Sequence, residues 1–189
     1  MKRLVIILLA AGLTACADHE VRITERLDSL TGVTITYSQV PYVFYRDNSG
    51  VAAYARNLIN MGPLEVNRMG EYRYYLWLGI WDTLQDTVPG AERDGFESIV
   101  IYADGEPLPL DIAGWSPEAI GASESVYVRP VSTSADAFYE VTVDHLRLIA
   151  AASNIRISTT GNRAYSYELW NDEKSANLSL LEFLKNSVY

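Results

Sequence analysis

The side chains that carry most enzyme chemistry are few and scattered in this chain of 189 residues. It has two histidines, His19 near the start of the chain and His145 beside Asp144. No serine stands in a Gly-x-Ser-x-Gly turn, and the glycines lack the spacing of a phosphate-binding loop. The pair at 144 and 145 is typical of a helix start. The sequence therefore indicates no catalytic residue and favours a protein that is not an enzyme.

Acidic residues are numerous, and pairs of carboxylates can serve glycoside cleavage. Asp82, Asp86 and Asp94 lie in one polar stretch. No sequence feature makes them better candidates for catalysis than the other acidic residues, of which the chain has 24 in all. Two histidines and one cysteine are too few to supply the nitrogen and sulfur ligands of a zinc centre. We therefore predict no metal site and no cofactor.

The one cysteine, Cys16, closes a short apolar segment near the start of the chain. Lys2 and Arg3 provide positive charge, residues 4–9 are apolar, and small residues lead up to the cysteine, as in a secretory signal. As a helix, residues 4–13 would cover roughly 15 Å, about half of the hydrocarbon core of a membrane. The segment therefore predicts export and not a membrane span.

The residues that lead to the cysteine match the four positions of a lipobox: Leu13, Thr14, Ala15 and Cys16. In this feature the chain resembles the precursors of bacterial lipoproteins. The resemblance implies a diacylglycerol on the Cys16 thiol, removal of residues 1–15 as a signal peptide, and further acylation of the new amino terminus. Two or more acyl chains give stable anchoring. Because Ala17 stands where Asp would favour the inner membrane, the resemblance implies an outer-membrane lipoprotein that faces the periplasm.

The charge of the processed chain restricts its partners. Removal of residues 1–15 would leave 13 basic and 24 acidic residues, so the net charge would change from −9 to −11. Such a surface repels nucleic acid and anionic lipid headgroups, and we expect no nucleic-acid partner. With the Cys16 thiol consumed by lipid, no second cysteine remains for a disulfide.

Aromatic residues predict a chain rich in β-structure, since it contains 13 Tyr, four Trp and four Phe. We expect residues 16–31 to form a lipidated tether and residues 32–189 to form one globular envelope domain. The predicted fold class is α+β, with a mainly antiparallel, sandwich-like sheet. A short helix is expected near 144–152 and a C-terminal helix near 173–186, from their apolar stripes.

Local signals predict where several elements begin and end. The expected strands are residues 33–37, 42–46, 72–81, 99–103, 126–131, 138–143, 155–159 and 163–170. The dipeptide Gly62 and Pro63 is expected to end whichever element covers residues 51–61. Pro107 and Pro109 predict an edge strand or a loop at 106–110.

The strand at 72–81 carries the one feature that suggests a binding surface. Alternation places Arg73, Tyr75, Trp77 and Trp81 on one face and apolar side chains on the other. Such aromatic faces stack on sugar rings or anchor a protein partner, and Tyr, Trp and Arg are enriched at binding hot spots. The alternative is that these rings are packed beneath a second layer.

Three hypotheses follow. The leading one is a non-enzymatic envelope lipoprotein that is held at the membrane by the lipid on Cys16 and binds or scaffolds another envelope component. The second is a module that binds or cleaves glycan or peptidoglycan, motivated by the aromatic residues and the acids. The third, by analogy alone, is an accessory factor of a secretion or pilus assembly.

Overall fold

The computed structural model describes residues 22–50, 52–84, 93–161, 164–170 and 174–187. The strands in this part of the chain are β1 Ile23–Leu27, β2 Thr34–Ser38, β3 Tyr42–Asp47, β4 Arg56–Arg68, β5 Glu71–Asp82, β6 Ser98–Ala103, β7 Glu106–Gly114, β8 Ala135–Val141, β9 Ile155–Thr159 and β10 Ser166–Leu169. The helices are α1 Val143–Ala151 and α2 Lys174–Ser187, and a 3-10 turn covers Pro117–Ile120.

Eight of these strands close into an antiparallel barrel. Around the wall the order is β4, β3, β10, β9, β6, β7, β8, β5 and β4 again. The closure depends on β5, which pairs with β4 on one side and with β8 on the other. The remaining two strands form a hairpin, in which β1 pairs with β2 and β2 adds to β4.

The predicted sandwich is therefore wrong. A sandwich and a closed barrel both give a strand two apolar faces, so the pattern of β5 did not distinguish them. In the structure the fold is mostly sheet, and the helices have a minor role. Both helices lie close to their predicted positions, but they pack at one end of the barrel instead of forming a layer of their own.

The inside of the barrel is filled by large side chains. Every second residue of each barrel strand points inward, and the interior contains bulky buried residues from several strands. Among the largest are Tyr42, Phe44, Met61, Leu78 and Tyr139. Leu146 and Ile149 of α1 and Leu180 and Phe183 of α2 belong to the same cluster. The two helices therefore complete the core at the end where β8 finishes and β9 begins.

Strand β4 continues through Gly62 and Pro63, so the predicted end at this dipeptide is wrong. The reason is a change of partner along one side of the strand. There, β3 pairs with β4 as far as Met61, and β2 begins to pair at Leu64. On that side the two residues between them face none of the described strands, so the missing N–H of Pro63 interrupts no pairing there.

The outer wall of β4, β5 and β8 carries a second apolar cluster, which residues 115–134 cover. Ile120, Ala122, Val126 and Tyr127 of this connection pack against the wall. The strand predicted at 126–131 is absent from the structure, because these residues serve as a covering loop.

Two further local predictions concern the prolines at 107 and 109 and the stretch before residue 32. The first is confirmed in its edge-strand form. Residues 106–110 are part of strand β7, but β8 pairs with β7 only from Ile112 onward. Pro107 and Pro109 therefore lie where β6 is the one neighbour of β7 among the described strands. Proline lacks a backbone N–H, and the side of β7 without a neighbouring strand needs no such donor. Strand β1 lies inside the stretch expected to be a tether, so the folded part begins before residue 32.

Candidate functional site

Four outward-facing side chains form one row across neighbouring strands of the barrel wall. Glu168 of β10 is paired in register with Tyr45 of β3 on one side and with Arg156 of β9 on the other. Arg156 is in turn paired with Tyr102 of β6. Adjacent strands lie about 4.8 Å apart, so the row is about 14 Å long. It has an aromatic ring at each end and an acid and a base between them.

The row lines a groove of about 630 Å³. Two turns form one end of this groove, at Asp104 and Gly105 and at Ser153 and Asn154. The Asp104 carboxylate accepts the backbone N–H groups of Ser153 at 3.0 Å and Asn154 at 2.8 Å. The N–H of Asp104 also donates to the carbonyl of Asn154 at 2.8 Å. These bonds tie the two turns together, so this end of the groove is preorganised.

Arginine side chains orient the aromatic rings at the two ends of the row. The guanidinium carbon of Arg156 lies 4.6 Å from the ring centroid of Tyr102. At the other end, Arg56 lies over the rings of Tyr45 and Trp170, at 5.3 Å and 4.8 Å. Trp170 meets Tyr45 edge-on, with ring centroids 5.3 Å apart. Cation–π contacts of this kind hold the rings in defined positions.

The groove has the chemistry of a binding site for a polar ligand with flat, partly apolar faces. The rings of Tyr45 and Tyr102 are half-buried and each contacts an arginine, and the exposed part of each ring provides a surface for stacking. Arg156 contributes hydrogen-bond donors and Glu168 contributes acceptors. In the described ranges, no three His, Cys, Asp or Glu side chains converge as a metal site would require.

The four residues predicted as a binding face do point outward from β5, but they do not form one open surface. Trp77 and Tyr75 are buried, at 2% and 4% exposure, beneath residues 115–134. Burial raises the pKa of the Tyr75 phenol. Trp81 is half-buried and donates its indole N–H to Asn60 at 3.2 Å. Arg73 is exposed and forms an ion pair with Glu71 at 2.7 Å.

The other residues singled out from the sequence have varied positions. His145 and Thr142 form a reciprocal helix cap, which accounts for the histidine as expected for the start of α1. Asp144 forms an ion pair with Arg147 at 2.8 Å. Asp82 is buried and accepts the N–H of Leu84, whereas Asp94 is exposed. Cys16, His19 and Asp86 lie outside the described residues.

The groove residues were not among those predicted from the sequence. Alternation in the predicted strands at 42–46 and 99–103 already placed Tyr45 and Tyr102 on the faces opposite the bulkier apolar residues. No local signal indicated that these two strands and the strands of Arg156 and Glu168 would be neighbours. The barrel brings them together.

No protein-family model, curated protein or solved structure matches the chain. Within the residues that the structure covers, neither helix has the length and apolar character needed to cross a membrane.

Proposed function

We propose that this protein is a non-enzymatic, lipid-anchored binding protein of the bacterial outer membrane that binds glycan chains of the envelope in its outer groove. The anchor rests on the lipobox that ends at Cys16. The binding function rests on the row formed by Tyr45, Glu168, Arg156 and Tyr102.

The row of side chains in the groove favours a glycan as the ligand. A sugar ring has an apolar face that stacks on an aromatic ring and hydroxyl groups at its edge. Two tyrosine rings separated by a donor and an acceptor match an extended chain of such rings. The groove is open along the barrel wall and mostly polar, which suits a hydrated polymer better than an apolar small molecule.

Titration with soluble glycan strands released from cell wall tests the ligand. Trp170 contacts Tyr45, so tryptophan emission of the lipidated protein in mild detergent should change as ligand binds. We expect Tyr102→Ala and Arg156→Ala each to weaken binding by about tenfold or more, which corresponds to about 1.4 kcal/mol. Tyr54→Ala is the control, because Tyr54 is exposed on the turn before β4 and does not line the groove.

Two results would overturn the glycan proposal. One is a flat titration across strands of different length and composition. The other is unchanged affinity in both groove variants while the control behaves as wild type. A stoichiometric protein partner that is recovered from envelopes and released by the same two substitutions would replace the glycan as the ligand.

The anchor has a separate test. We expect the protein to fractionate with membranes and to carry acyl chains on Cys16, as measured by mass spectrometry of the processed chain. The Cys16→Ser variant should appear in the soluble fraction. Equal membrane retention of the variant and the wild type would contradict lipid anchoring through Cys16.

A further inference from the structure

One end of the four strands β1, β2, β4 and β5 carries exposed apolar side chains on two adjacent hairpin turns. The last full row across these strands is Leu27, Thr34, Asn67 and Tyr72. Leu27 and Tyr72, at the two ends of the row, are 65% and 45% exposed. Beyond the row, Leu30 on the β1–β2 turn is 81% exposed and Met69 on the β4–β5 turn is 100% exposed.

Single exposed apolar residues are ordinary on a protein surface, but these four are clustered. We name the four residues Leu27, Leu30, Met69 and Tyr72 the apolar tip.

Met69 occupies its position against local backbone preference. The β4–β5 turn has positive φ at both central residues, 54° at Met69 and 91° at Gly70. The β6–β7 turn has the same pattern, 50° at Asp104 and 90° at Gly105. The second turn uses the residues that such turns prefer, whereas the first places an exposed methionine where Asn, Asp or Gly is favoured. Backbone preference and core packing therefore do not account for Met69.

The β1–β2 turn is held rigidly. The Asp28 carboxylate accepts the N–H of Leu30 at 3.0 Å and of Thr31 at 3.2 Å. It also accepts the N–H of Ser123 at 2.6 Å, which ties the turn to the covering loop. Arg26 donates to the carbonyl of Ser125 at 3.3 Å. Leu30 of the apolar tip therefore projects from a fixed turn.

The charge around the tip differs from that of the whole chain. Residues 25–31 and 67–73 contain three arginines and three acidic residues, so this end is neutral. The complete chain has a net charge of −9. A neutral, arginine-bearing end can approach lipid phosphates without the repulsion that the rest of the surface would experience.

The tether length matches contact between this end and the membrane. Six residue steps separate Cys16 from Arg22, which span at most about 20 Å. Strand β1 begins next to Arg22 and runs about 13 Å to the row of Leu27. A lipid-anchored Cys16 can thus lie in the plane that the apolar tip would touch.

We infer that the apolar tip inserts into the surface of the lipid bilayer and orients the domain on it. This inference rests on the proposed lipid anchor at Cys16. The exposed leucines, methionine and tyrosine enter the region between headgroups and acyl chains. The groove lies on the other side of the barrel, on β3, β10, β9 and β6, where it remains open to envelope ligands.

Fluorescent probes attached at single cysteines test the orientation. Cys16 is the only cysteine, and lipid blocks it, so Leu30→Cys and Met69→Cys each supply one reactive thiol. Tyr54→Cys is the control, because it is also highly exposed but lies on the turn between β3 and β4. The lipidated variants carry a nitrobenzoxadiazole label in vesicles of phosphatidylethanolamine and phosphatidylcholine.

We expect spin-labelled lipid to quench the probes at 30 and 69 severalfold more than the probe at 54. Aqueous iodide should show the opposite order. Protein that floats with the vesicles but shows equal quenching at the three positions would overturn the orientation and leave the anchor intact. Wild-type protein that fails to float, or a Cys16→Ser variant that floats equally well, would overturn the anchor and this inference with it.

Discussion

The indole ring of Trp77 stacks on the phenol ring of Tyr127, with centroids 4.3 Å apart and planes inclined by 13°. The Trp77 N–H donates to Asp136 at 3.0 Å, and Arg129 forms an ion pair with the same carboxylate at 2.6 Å. The contact joins the barrel wall to the covering loop of residues 115–134. A ring that the sequence suggested as a binding surface is thus part of the second apolar cluster.

Removal of the Tyr127 ring should destabilise the domain strongly. Tyr127→Ala leaves a cavity beside Trp77, and we expect the free energy of unfolding to fall by about 3–5 kcal/mol. Tyr127→Phe keeps the stack and loses the hydrogen bond to the Pro63 carbonyl, so a loss of about 1 kcal/mol is expected. Denaturant titrations measure both values. Equal losses in the two variants would show that the stack contributes little.

Gly62 provides the space that Tyr127 occupies. A Cβ at this position would overlap the phenol group of Tyr127. We expect Gly62→Ala to lower the free energy of unfolding by about 1–3 kcal/mol, because the ring must move within a packed cluster. Gly50→Ala is the matched control, since open space surrounds that position, and should change stability by less than about 0.5 kcal/mol. Similar denaturation midpoints for both variants would argue against the overlap.

Local patterns predicted most of the strands, but they did not predict how the sheet closes. The period-2 alternation of β5 and the caps and apolar stripes of the helices depend on neighbours in sequence. Closure depends on pairing between β5 and β8, whose partners Leu76 and Tyr139 are far apart in the chain. Strand β4 also continues through Pro63 because β3 pairs with it before this residue and β2 pairs with it after this residue. The composition of the chain does not indicate this change of partner.

The residues of the candidate site were not predicted from the sequence for the same reason. The row contains Tyr45, Tyr102, Arg156 and Glu168. These residues belong to four different strands and do not form a sequence motif. The aromatic face of β5 was visible from alternation alone. Its burial became apparent only with the covering loop of residues 115–134, whose packing against β5 no local pattern indicated.

Acid should weaken the contact between the β1–β2 turn and the covering loop. The hydrogen bond from the Ser123 N–H, with others from Ser123, Thr31 and Leu30, holds the pKa of Asp28 well below its usual value. The stability from this carboxylate is therefore complete above the unfolded-state pKa of about 4 and is lost as pH falls through the folded-state pKa. We expect Asp28→Asn to be less stable than wild type at pH 7 and to flatten this acid dependence. Parallel curves for wild type and variant between neutral and acidic pH would contradict the prediction.

Glu65 should have the opposite effect on stability. Its side chain is buried, and Oε2 has no hydrogen-bond partner among the residues that the structure describes. Burial raises the pKa of Glu65, and the Glu25 carboxylate adds to this effect. Burial and Glu65 together raise the pKa of Tyr74 to about 12, and the Tyr74 hydroxyl donates to the Ser187 carbonyl at the end of α2 at 3.2 Å.

An acid with a raised folded-state pKa lowers stability as pH rises from its unfolded-state pKa, about 4, toward its folded-state pKa. We therefore expect Glu65→Gln to gain stability relative to wild type as pH increases through this window. Urea denaturation at several pH values from 4 to 8 measures the difference. Glu140→Gln, at an exposed position of β8, should show no such gain. A constant difference between wild type and Glu65→Gln at every pH would exclude the ionisation of Glu65 as the cause.

Met69 should be a position where stability can be increased by substitution. Its φ of 54° lies in the left-handed region, which costs most side chains about 1–2 kcal/mol relative to glycine and is easier for asparagine. We expect Met69→Asn to raise the free energy of unfolding by about 1 kcal/mol, whereas Met69→Leu keeps the backbone cost and should be neutral. If Met69 is retained for contact with lipid, the more stable asparagine variant should also reduce the lipid quenching of a probe at Leu30→Cys. A gain in both Met69→Asn and Met69→Leu would show that the backbone conformation is not the origin of the effect.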